Sequence, residues 1–494
     1  MLKKRFSLAK EYEESFSTPL LLRCENDVKI NEDSFEIFGR TIRRNVLYSP
    51  SIKQTEIKIS DDFYLIPNVN TLLRNTRDFV EYTLKIREIY GYKAIFYAPA
   101  VPSSLYPVLF YLGYDVFDDC MEQVQCHSLW GKSQSCSENS KIIFDMMISA
   151  FKENRLREFV ESIPDNKSQE IIRYLDMYHY EEVERFYPIY LDSVNAVSHN
   201  SLYRPDILRW RKRLMERYKK PDYGKHLLLL PCSAKKPYSL SKSHRLMAKY
   251  TKSTMHEVIL TSPLGIVPRE LESFYPAKNY DIPVIGHWYE EEKMIIKDML
   301  QWYLNKFEYE SIISYLPDSM RFLEPVLEKY GARMIWGMDT SELAEQTSKL
   351  GYRVPWNRVL RNNLSSLAKF QFGCCDDFSD VKIKGRYPRI DVWKSGERLF
   401  GYDIHRGMLT LTKKSAEILS CEKRYRVEIE DFYPEGDVFA VGVLSADPYI
   451  REGDEVAIVH KDEVRGWGIA RMSAYDMVEE NRGKAVKVRG RISQ

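Results

Sequence analysis

A cysteine at the end of an apolar run is the first candidate for chemistry in this chain. Cys232 follows Pro231 and the four leucines at 227–230, which predict a strand buried on both faces. In open α/β sheets, reactive groups collect beyond the carboxyl ends of strands. A thiol beside cations and backbone N–H groups is expected to have a lowered pKa, so Cys232 is a candidate nucleophile. The alternative is a small core residue, because free cysteine is often buried.

The residues that follow Cys232 supply candidate acid–base and binding groups. We expect Ser241 to cap a helix whose first turn carries His244, which would then face the thiol. Lys236 and His244 are the candidate catalytic partners of Cys232. The candidate pocket residues from the same segment are Ser233, Pro237, Tyr238 and Ser241.

Two other segments also lie at the ends of predicted strands. The strand predicted at 257–261 leads into a loop with the candidate binding residues Gly265, Arg269 and Glu270. The strand predicted at 282–286 lies between Asp281 and the pair His287 and Trp288. If these strands are parallel, their ends meet at one edge of a sheet and form a pocket. The alternatives are an ordinary turn with a surface ion pair, and a structural histidine.

Two basic groups near the C-terminus are candidate contacts for nucleic acid. Period-two alternation places Lys487, Arg489 and Arg491 on one face of a final strand. The other group comprises Lys384, Arg386 and Arg389. The net charge of the whole chain is only +2, so these groups stand out locally. They predict a surface that follows phosphates, with solvated faces as the alternative.

Composition limits the class of protein. The chain has 494 residues, of which 44% are hydrophobic and 29% charged, which is typical of several soluble domains. No apolar run approaches the roughly 20 residues of a membrane span, and no apolar segment follows the basic start, so we expect no secretory signal. The eight scattered cysteines favour a reducing cytoplasm. We predict no metal site and no cofactor, because the group Cys120, Cys126, His127 and Cys136 matches no common zinc spacing.

The order of predicted elements indicates an α/β multidomain protein. Residues 1–220 alternate strands and helices, including a strand at 93–99, a helix at 105–112 and a strand at 114–119. Residues 221–339 predict a three-layer α/β catalytic core, and residues 340–422 a small α+β domain. Residues 423–494 predict a small β-barrel with strands at 438–444, 453–459 and 466–470.

The segment 231–244 resembles the signature of the archaeosine synthase family, relatives of the tRNA-guanine transglycosylases. The matching residues are Pro231, Cys232, Ser233, Lys236, Pro237, Tyr238, Ser241 and His244. The last 70 or so residues resemble a PUA domain, an RNA-binding β-barrel. The resemblance implies that the N-terminal part is a degenerate, shortened TIM-barrel-like domain. It lacks the transglycosylase zinc spacing, and about 250 residues are typical of a complete barrel.

The resemblance also implies a reaction. The substrate would be tRNA carrying preQ0 in the D-loop, and its nitrile would be converted towards the amidine of archaeosine. Free lysine is the implied amine donor, a radical SAM enzyme is the implied partner in some organisms, and a homodimer is implied by the transglycosylase relatives. No membrane is involved.

The residues suit this reaction, because a nitrile carbon is attacked well by a thiolate. We hypothesise that Cys232 forms a thioimidate, which the donor amine then resolves. His244 or Lys236 would transfer protons. Tyr238 and Trp288 would stack on the flipped-out base. Asp281 or Glu270 would hold the ammonium group of the donor.

Three alternatives remain at this point. The donor amine would attack the nitrile directly, with Cys232 only lining the pocket. The chain would exchange a tRNA base, as transglycosylases do. It would bind tRNA through the PUA domain without catalysis.

Overall fold

The computed structural model describes residues 11–12, 16–24, 26–30, 34–37, 40–43, 56–60, 62–67, 69–123, 135–196, 198–251, 255–282, 287–351, 353–386, 389–480 and 482–492. The chain divides into two compact units. The first comprises Met1–Phe186 with Val197–Tyr203, and the second comprises Tyr187–Ala196 with Arg204–Gln494. No helix among the described residues is long and apolar enough to cross a membrane.

The first unit is built on a five-stranded sheet in the order β3-β10-β9-β8-β7. Strands β3, β10, β9 and β8 are parallel, and β7 is antiparallel to β8. A separate hairpin joins β1 and β2, and a three-stranded antiparallel sheet contains β4, β5 and β6. The strands are β1 Glu11–Tyr12, β2 Phe16–Ser17, β3 Leu20–Leu22, β4 Val28–Ile30, β5 Ser34–Ile37, β6 Arg40–Arg43, β7 Ile57–Ser60, β8 Phe63–Leu65, β9 Ile95–Tyr97 and β10 Val116–Asp118.

Helices complete the first unit around this sheet. They are α1 Val69–Leu72, α2 Thr76–Tyr90, α3 Tyr106–Tyr111, α4 Ser135–Lys152, α5 Leu156–Ser162, α6 Asn166–Tyr178 and α7 Tyr180–Glu184. The predicted order of strand, helix and strand over 93–119 is confirmed by β9, α3 and β10. The described strands of this unit form an open sheet, so the predicted TIM-barrel-like architecture is not confirmed.

The second unit contains the core that carries Cys232. Its sheet has the order β14-β13-β12-β16-β17, in which β14 alone is antiparallel to its neighbour. Four consecutive leucines form the middle of β12 and are fully buried, as expected for a central parallel strand. The strands are β11 Val194–Asn195, β12 His226–Pro231, β13 His256–Thr261, β14 Gly265–Pro268, β15 Tyr280–Asp281, β16 Ser311–Leu316 and β17 Arg333–Trp336.

The helices around this core include one that the sequence assigns to the N-terminal domain. They are α8 Pro205–Arg217, α9 Lys242–Thr251, α10 Glu290–Lys306, α11 Glu324–Lys329, α12 Thr340–Ser348 and α13 Trp356–Phe372. Helix α8 belongs to the second unit, which differs from the predicted boundary at residue 220. The reason is local packing: the buried Trp210 and Arg211 donate hydrogen bonds to the carbonyl oxygens of Ile266 and Pro263.

The C-terminal part of the second unit contains two further sheets. The first is antiparallel, with strands β18 Val381–Arg386, β19 Arg389–Lys394, β20 Glu397–Asp403 and β21 Met408–Leu411, followed by helix α14 Lys413–Cys421. The second has six strands in the order β23-β27-β26-β25-β22-β24. Its elements are β22 Arg426–Ile429, β23 Val438–Phe439, β24 Val443–Ala446, β25 Glu455–His460, β26 Glu463–Ala470, α15 Ala474–Glu479 and β27 Lys484–Arg491.

The prediction of one strand in the C-terminal domain, at 438–444, is wrong. Residues 438–444 do not form a continuous strand, because a 3-10 turn at Ala440–Gly442 separates β23 from β24. The two short strands pair with β27 and β22, which lie apart in the sheet. The turn therefore carries the chain from one edge of the sheet to the other.

Candidate active site

Cys232 lies one residue beyond the carboxyl end of the central strand β12. Pro231 is paired with Leu260 of β13, so the next residues, Cys232 and Thr261, lie next to each other at the carboxyl ends of the two strands. Cys232 is half-buried. The parallel sheet therefore places the thiol at the edge where such folds bind their ligands.

The electrostatics of Cys232 differ from the sequence-based expectation. Burial raises the pKa of the thiol, and the nearby carboxylate of Glu292 adds to this effect. A hydrogen bond from Thr261 and the positive charge of Lys236 act in the opposite direction but do not prevail. The predicted lowering of the thiol pKa is therefore wrong, because the cost of burying a thiolate exceeds the stabilisation by its neighbours.

Lys236 lies near the thiol and interacts with it electrostatically. Its Nζ lies 3.9 Å from the ring centroid of Tyr280, and its half-buried side chain interacts electrostatically with both Cys232 and Asp281. Burial lowers the pKa of the Lys236 ammonium. A lysine with a lowered pKa releases its proton more readily than one in water, which is what a general base or proton carrier requires.

A buried chain of hydroxyl groups supports this pair. The Tyr280 hydroxyl lies 2.7 Å from that of Tyr238 and 2.5 Å from Thr261 Oγ1. Tyr238 is fully buried, and its ring stacks on His244 at 5.7 Å between centroids. The hypothesis that Tyr238 stacks on the substrate base is therefore wrong, because its faces are enclosed. Its place is in the wall that fixes Tyr280 and Thr261.

The predicted helix cap is confirmed, but its consequence for His244 is not. Ser241 Oγ accepts a hydrogen bond from the backbone N–H of His244 at 3.2 Å, and α9 begins at Lys242. His244 Nδ1 lies 2.8 Å from an Arg269 guanidinium nitrogen, and Nε2 lies 3.0 Å from the carbonyl oxygen of Pro231. Because the arginine only donates, Nδ1 accepts and Nε2 donates to Pro231.

This arrangement makes His244 a positioning residue. Burial and the positive charge of Arg269 lower the pKa of His244 to about 4, so the imidazole is neutral at physiological pH. Both ring nitrogens are engaged by protein groups, and the contact with Pro231 holds the residue that precedes Cys232. The structure thus gives His244 a structural contact with the site in place of the predicted proton transfer to the thiol.

Arg269 is held by an internal cluster of acids. Its guanidinium lies 2.6 Å from Glu257 and 2.8 Å from Glu272. These ion pairs raise the pKa of Arg269 although burial opposes them. Arg269 was predicted to bind substrate, and in the structure its hydrogen bonds go to His244 and the two acids. It therefore orients the imidazole.

Glu270 is also directed into the protein, and its prediction as a donor-binding residue is wrong. Its carboxylate is buried, with Tyr218 at 2.5 Å and His256 at 3.2 Å. The reason is topological, since β14 runs antiparallel to β13 and pairs Pro268 with Val258. The chain thus returns towards the amino end of β13 before it reaches Glu270.

Gly265 has a packing role that the sequence did not reveal. It is fully buried at the start of β14 with φ +81°, and a Cβ there would lie 2.7 Å from Cγ of Met299 on α10. Both the backbone conformation and the close approach of α10 require glycine. Gly265 therefore seats α10 against the sheet and is not a substrate contact.

The third predicted cluster is only partly brought to the site. Asp281 is exposed and interacts with Lys236, although β15 pairs with β11 and not with the main sheet. Residues 283–286 of the predicted strand lie outside the described residues. Beyond them His287 is exposed, and the half-buried Trp288 lies 6.0 Å from Phe322 between ring centroids. Asp281 is the member of this cluster for which the structure shows an interaction with Lys236.

The structure adds three residues that sequence reasoning did not select. Thr261 bonds the thiol, Tyr280 holds Lys236, and Glu292 faces Cys232. Thr261 was detectable, because it ends the strand next to β12. Of the remaining motif residues, Ser233 donates to the Lys235 carbonyl oxygen, and Pro237 precedes the turn that begins at Tyr238.

No metal-binding group of three or more side chains occurs in the described part of the chain. Cys126 and His127 lie outside it, as does the side chain of Cys136.

The basic groups lie on strands of the C-terminal sheets. Lys384 packs over Trp393 at 3.7 Å, and Arg389 is exposed at the start of β19, where Arg386 is its strand partner. On β27, the residues Lys487, Arg489 and Arg491 alternate as exposed positions, as predicted. Arg489 also pairs with the buried Glu455, and burial together with Arg406 and Arg398 lowers its pKa to about 10. Arg489 is therefore partly committed to the fold.

Comparison with known proteins agrees with this architecture. Residues 207–350 match the family described as "Domain of unknown function (DUF5591)", and residues 429–492 match the PUA domain. An archaeosine synthase subunit alpha from Thermoplasma acidophilum is 36% identical over 95% of this chain and 96% of its own length. A protein of the same name from Methanosarcina acetivorans is 31% identical, covering 87% and 79%. A tRNA-guanine(15) transglycosylase from Methanosphaera stadtmanae is 27% identical, covering 63% and 47%.

The fold and the matched domains define a multidomain α/β protein with a thiol-bearing core and a C-terminal PUA domain. The identity over nearly the full length of both chains goes further than this class. The chain belongs to the archaeosine synthase family.

Proposed function

We propose that this protein adds an amine donor, free lysine, to the nitrile of preQ0 in the D-loop of tRNA. The product is a substituted amidine, from which a partner radical SAM enzyme releases archaeosine. The observation that carries the proposal is the half-buried Cys232 at the end of β12, in electrostatic contact with a lysine of lowered pKa. Family membership supports a role in archaeosine formation on tRNA, and the nitrile of preQ0 is the substrate that the sequence resemblance implies.

In the proposed first step, the Cys232 sulfur attacks the nitrile carbon. The S–C bond forms as one π bond of the nitrile breaks, and the nitrogen gains a proton. Because the pKa of the thiol is raised, its proton must leave during the attack, and Lys236 is the group placed to take it and pass it to the nitrile nitrogen. The product of this step is a neutral thioimidate.

In the second step, the donor amine adds to the thioimidate carbon. The C–N bond forms, the C–S bond breaks, and the sulfur recovers a proton as the amidine forms. The net reaction is an addition of the amine to the nitrile with no change in oxidation state, so it needs no oxidant or reductant. Asp281, exposed beside Lys236, is the carboxylate placed to receive an ammonium group of the donor.

Replacement of Cys232 tests the covalent step. Cys232→Ala should lower turnover on preQ0-tRNA by at least about 10³-fold, because the nucleophile is lost. Wild-type protein incubated with preQ0-tRNA without donor and then denatured should show an adduct of protein and tRNA by mass spectrometry. Cys421→Ala, which changes an exposed thiol elsewhere, is the matched control.

The same assay separates the alternatives. Nucleoside mass that increases by one lysine supports the proposal, whereas incorporation of a free base indicates base exchange. Full activity of Cys232→Ala would show that the donor amine attacks the nitrile directly. Binding of tRNA without any product would indicate that the chain is a tRNA-binding protein without catalytic activity.

A further inference from the structure

A cleft beside helix α9 is lined by the kinds of residue that bind nucleotides. Its volume is about 510 Å³, and residues of α9 and of α13 both line it. From α9 it is lined by Arg245 and Lys249, and from α13 by Trp356, Val359 and Asn363. None of these residues belongs to the active site described above.

Two cations in this cleft are uncompensated. Arg245 and Lys249 are exposed and lie four residues apart on α9, so they share one face of the helix. Among the described residues, neither side chain has an ion-pair or hydrogen-bond partner. In the same cleft, Arg269 is already neutralised by Glu257. A pair of unpaired cations at a cleft favours an anionic group such as a phosphate.

Helix α13 contributes an aromatic surface to the cleft. Trp356, the first residue of α13, is 55% exposed, although tryptophan is usually mostly covered. Met255 and Val359, both buried, supply apolar surface next to it. An exposed indole above apolar side chains is a platform on which an unstacked base binds.

A buried acceptor completes the set. Asn363 forms a side-chain hydrogen bond with Tyr223, while its Oδ1 is buried with no partner in the described part of the chain. Such an oxygen is satisfied by an N–H donor that enters the cleft, and the amino or imino groups of a nucleobase are donors of this kind.

We infer that this cleft binds one unstacked nucleotide of the substrate tRNA, with its phosphate at Arg245 and Lys249 and its base on Trp356. The inference rests on the proposed function for the identity of the RNA. The cleft also reaches His244 and Arg269, and His244 holds Pro231 next to Cys232. The bound nucleotide is a different one from the nucleotide that carries the reacting base. Its binding holds the tRNA against helix α9.

Binding measurements on full-length variants test the inference. The affinity for preQ0-tRNA is measured by fluorescence anisotropy at several salt concentrations. Arg245→Ala/Lys249→Ala should weaken binding roughly ten-fold and lower the salt dependence by about one to two counterions. Trp356→Ala should weaken binding roughly ten-fold with an unchanged salt dependence, and Trp356→Phe should restore most of it. Lys329→Ala, an exposed helix cation outside the cleft, should bind as the wild type.

Three results would overturn the inference: unchanged tRNA affinity of folded cleft variants, a raised KM for lysine with unchanged tRNA affinity, or binding of free GMP as tight as that of tRNA. Equal melting temperatures establish that the variants are folded. Because the readout is binding, it is independent of the proposed chemistry. A wild type that binds tRNA through this cleft but forms no amidine would refute the proposed function and leave the cleft assignment intact.

Discussion

Burial sets the protonation of the individual motif residues. Cys232 and Lys236 are close enough for each to favour the charged form of the other, yet the pKa of the thiol is raised and that of the ammonium is lowered. Desolvation is the larger effect for both groups. Burial therefore shifts the equilibria of both groups towards their neutral forms. Such a pair is protected from unproductive reactions of a free thiolate.

His244 provides a test at this scale. In the folded protein the pKa of the His244 imidazole is about 4, whereas its ordinary value is 6.5. The unfolded chain therefore binds a proton first as pH falls, so the stability contribution is complete above pH 6.5 and is lost towards pH 4. The wild type should lose about 3 kcal/mol of unfolding free energy over this range from His244 alone.

Urea unfolding of His244→Gln checks this prediction. Glutamine can still donate to Pro231 and accept from Arg269, but it does not titrate in this range. The variant should therefore show a flatter dependence of stability on pH than the wild type. Parallel curves for the two proteins would contradict the assigned protonation of His244.

Among the elements, β14 has the largest effect on which residues reach the site. From the sequence, Arg269 and Glu270 are expected in a loop that stays at the carboxyl end of β13. The antiparallel return of β14 instead directs them towards the amino end of β13, where they form internal ion pairs and hydrogen bonds. Gly265 makes this return possible, because α10 packs directly over it.

Substitution of Gly265 measures that contribution. Gly265→Ala should destabilise the protein by about 1–2 kcal/mol through its positive φ, and by about a further 1–3 kcal/mol through the contact with Met299. Gly331→Ala is the matched control, because Gly331 has φ +64° but nothing within 4 Å of its added Cβ. Thermal melting of both variants checks the difference. Equal losses of stability in the two variants would show that α10 moves away from the added Cβ of Gly265→Ala without a loss of free energy.

At the scale of the whole molecule, one buried carboxylate joins the C-terminal sheets. Glu455 of β25 accepts from the backbone N–H of Leu411 in β21 at 3.0 Å and pairs with Arg406 at 3.1 Å. Arg489 of β27 pairs with the same carboxylate. The basic strand β27 is thereby fixed relative to the small α+β domain, and Lys487 and Arg491 remain exposed on it.

This division predicts different effects for neighbouring cations. Lys487→Ala/Arg491→Ala should leave stability nearly unchanged and reduce the salt dependence of tRNA binding by about one to two counterions. Arg489→Ala should instead lower the unfolding free energy by about 1–3 kcal/mol, because a buried carboxylate loses one partner. Salt-dependent binding and urea unfolding separate the two. A stability loss in the double variant, with unchanged binding, would contradict the assignment of this face to RNA.

The sequence by itself determined the strand before Cys232 and the start of the following helix. The leucine run required a central strand that ends beside Cys232, and Ser241 required a helix start, since these are local consequences of hydrophobicity and capping. Only the tertiary structure decided which other residues meet the thiol. The antiparallel direction of β14 moved Glu270 away, burial placed Tyr238 in the wall of the site, and contacts with Arg269 and the Pro231 carbonyl oxygen made His244 a positioning residue. Tyr280, Glu292 and Trp356 gained their places in the same way, because burial and partnership depend on residues distant in the chain.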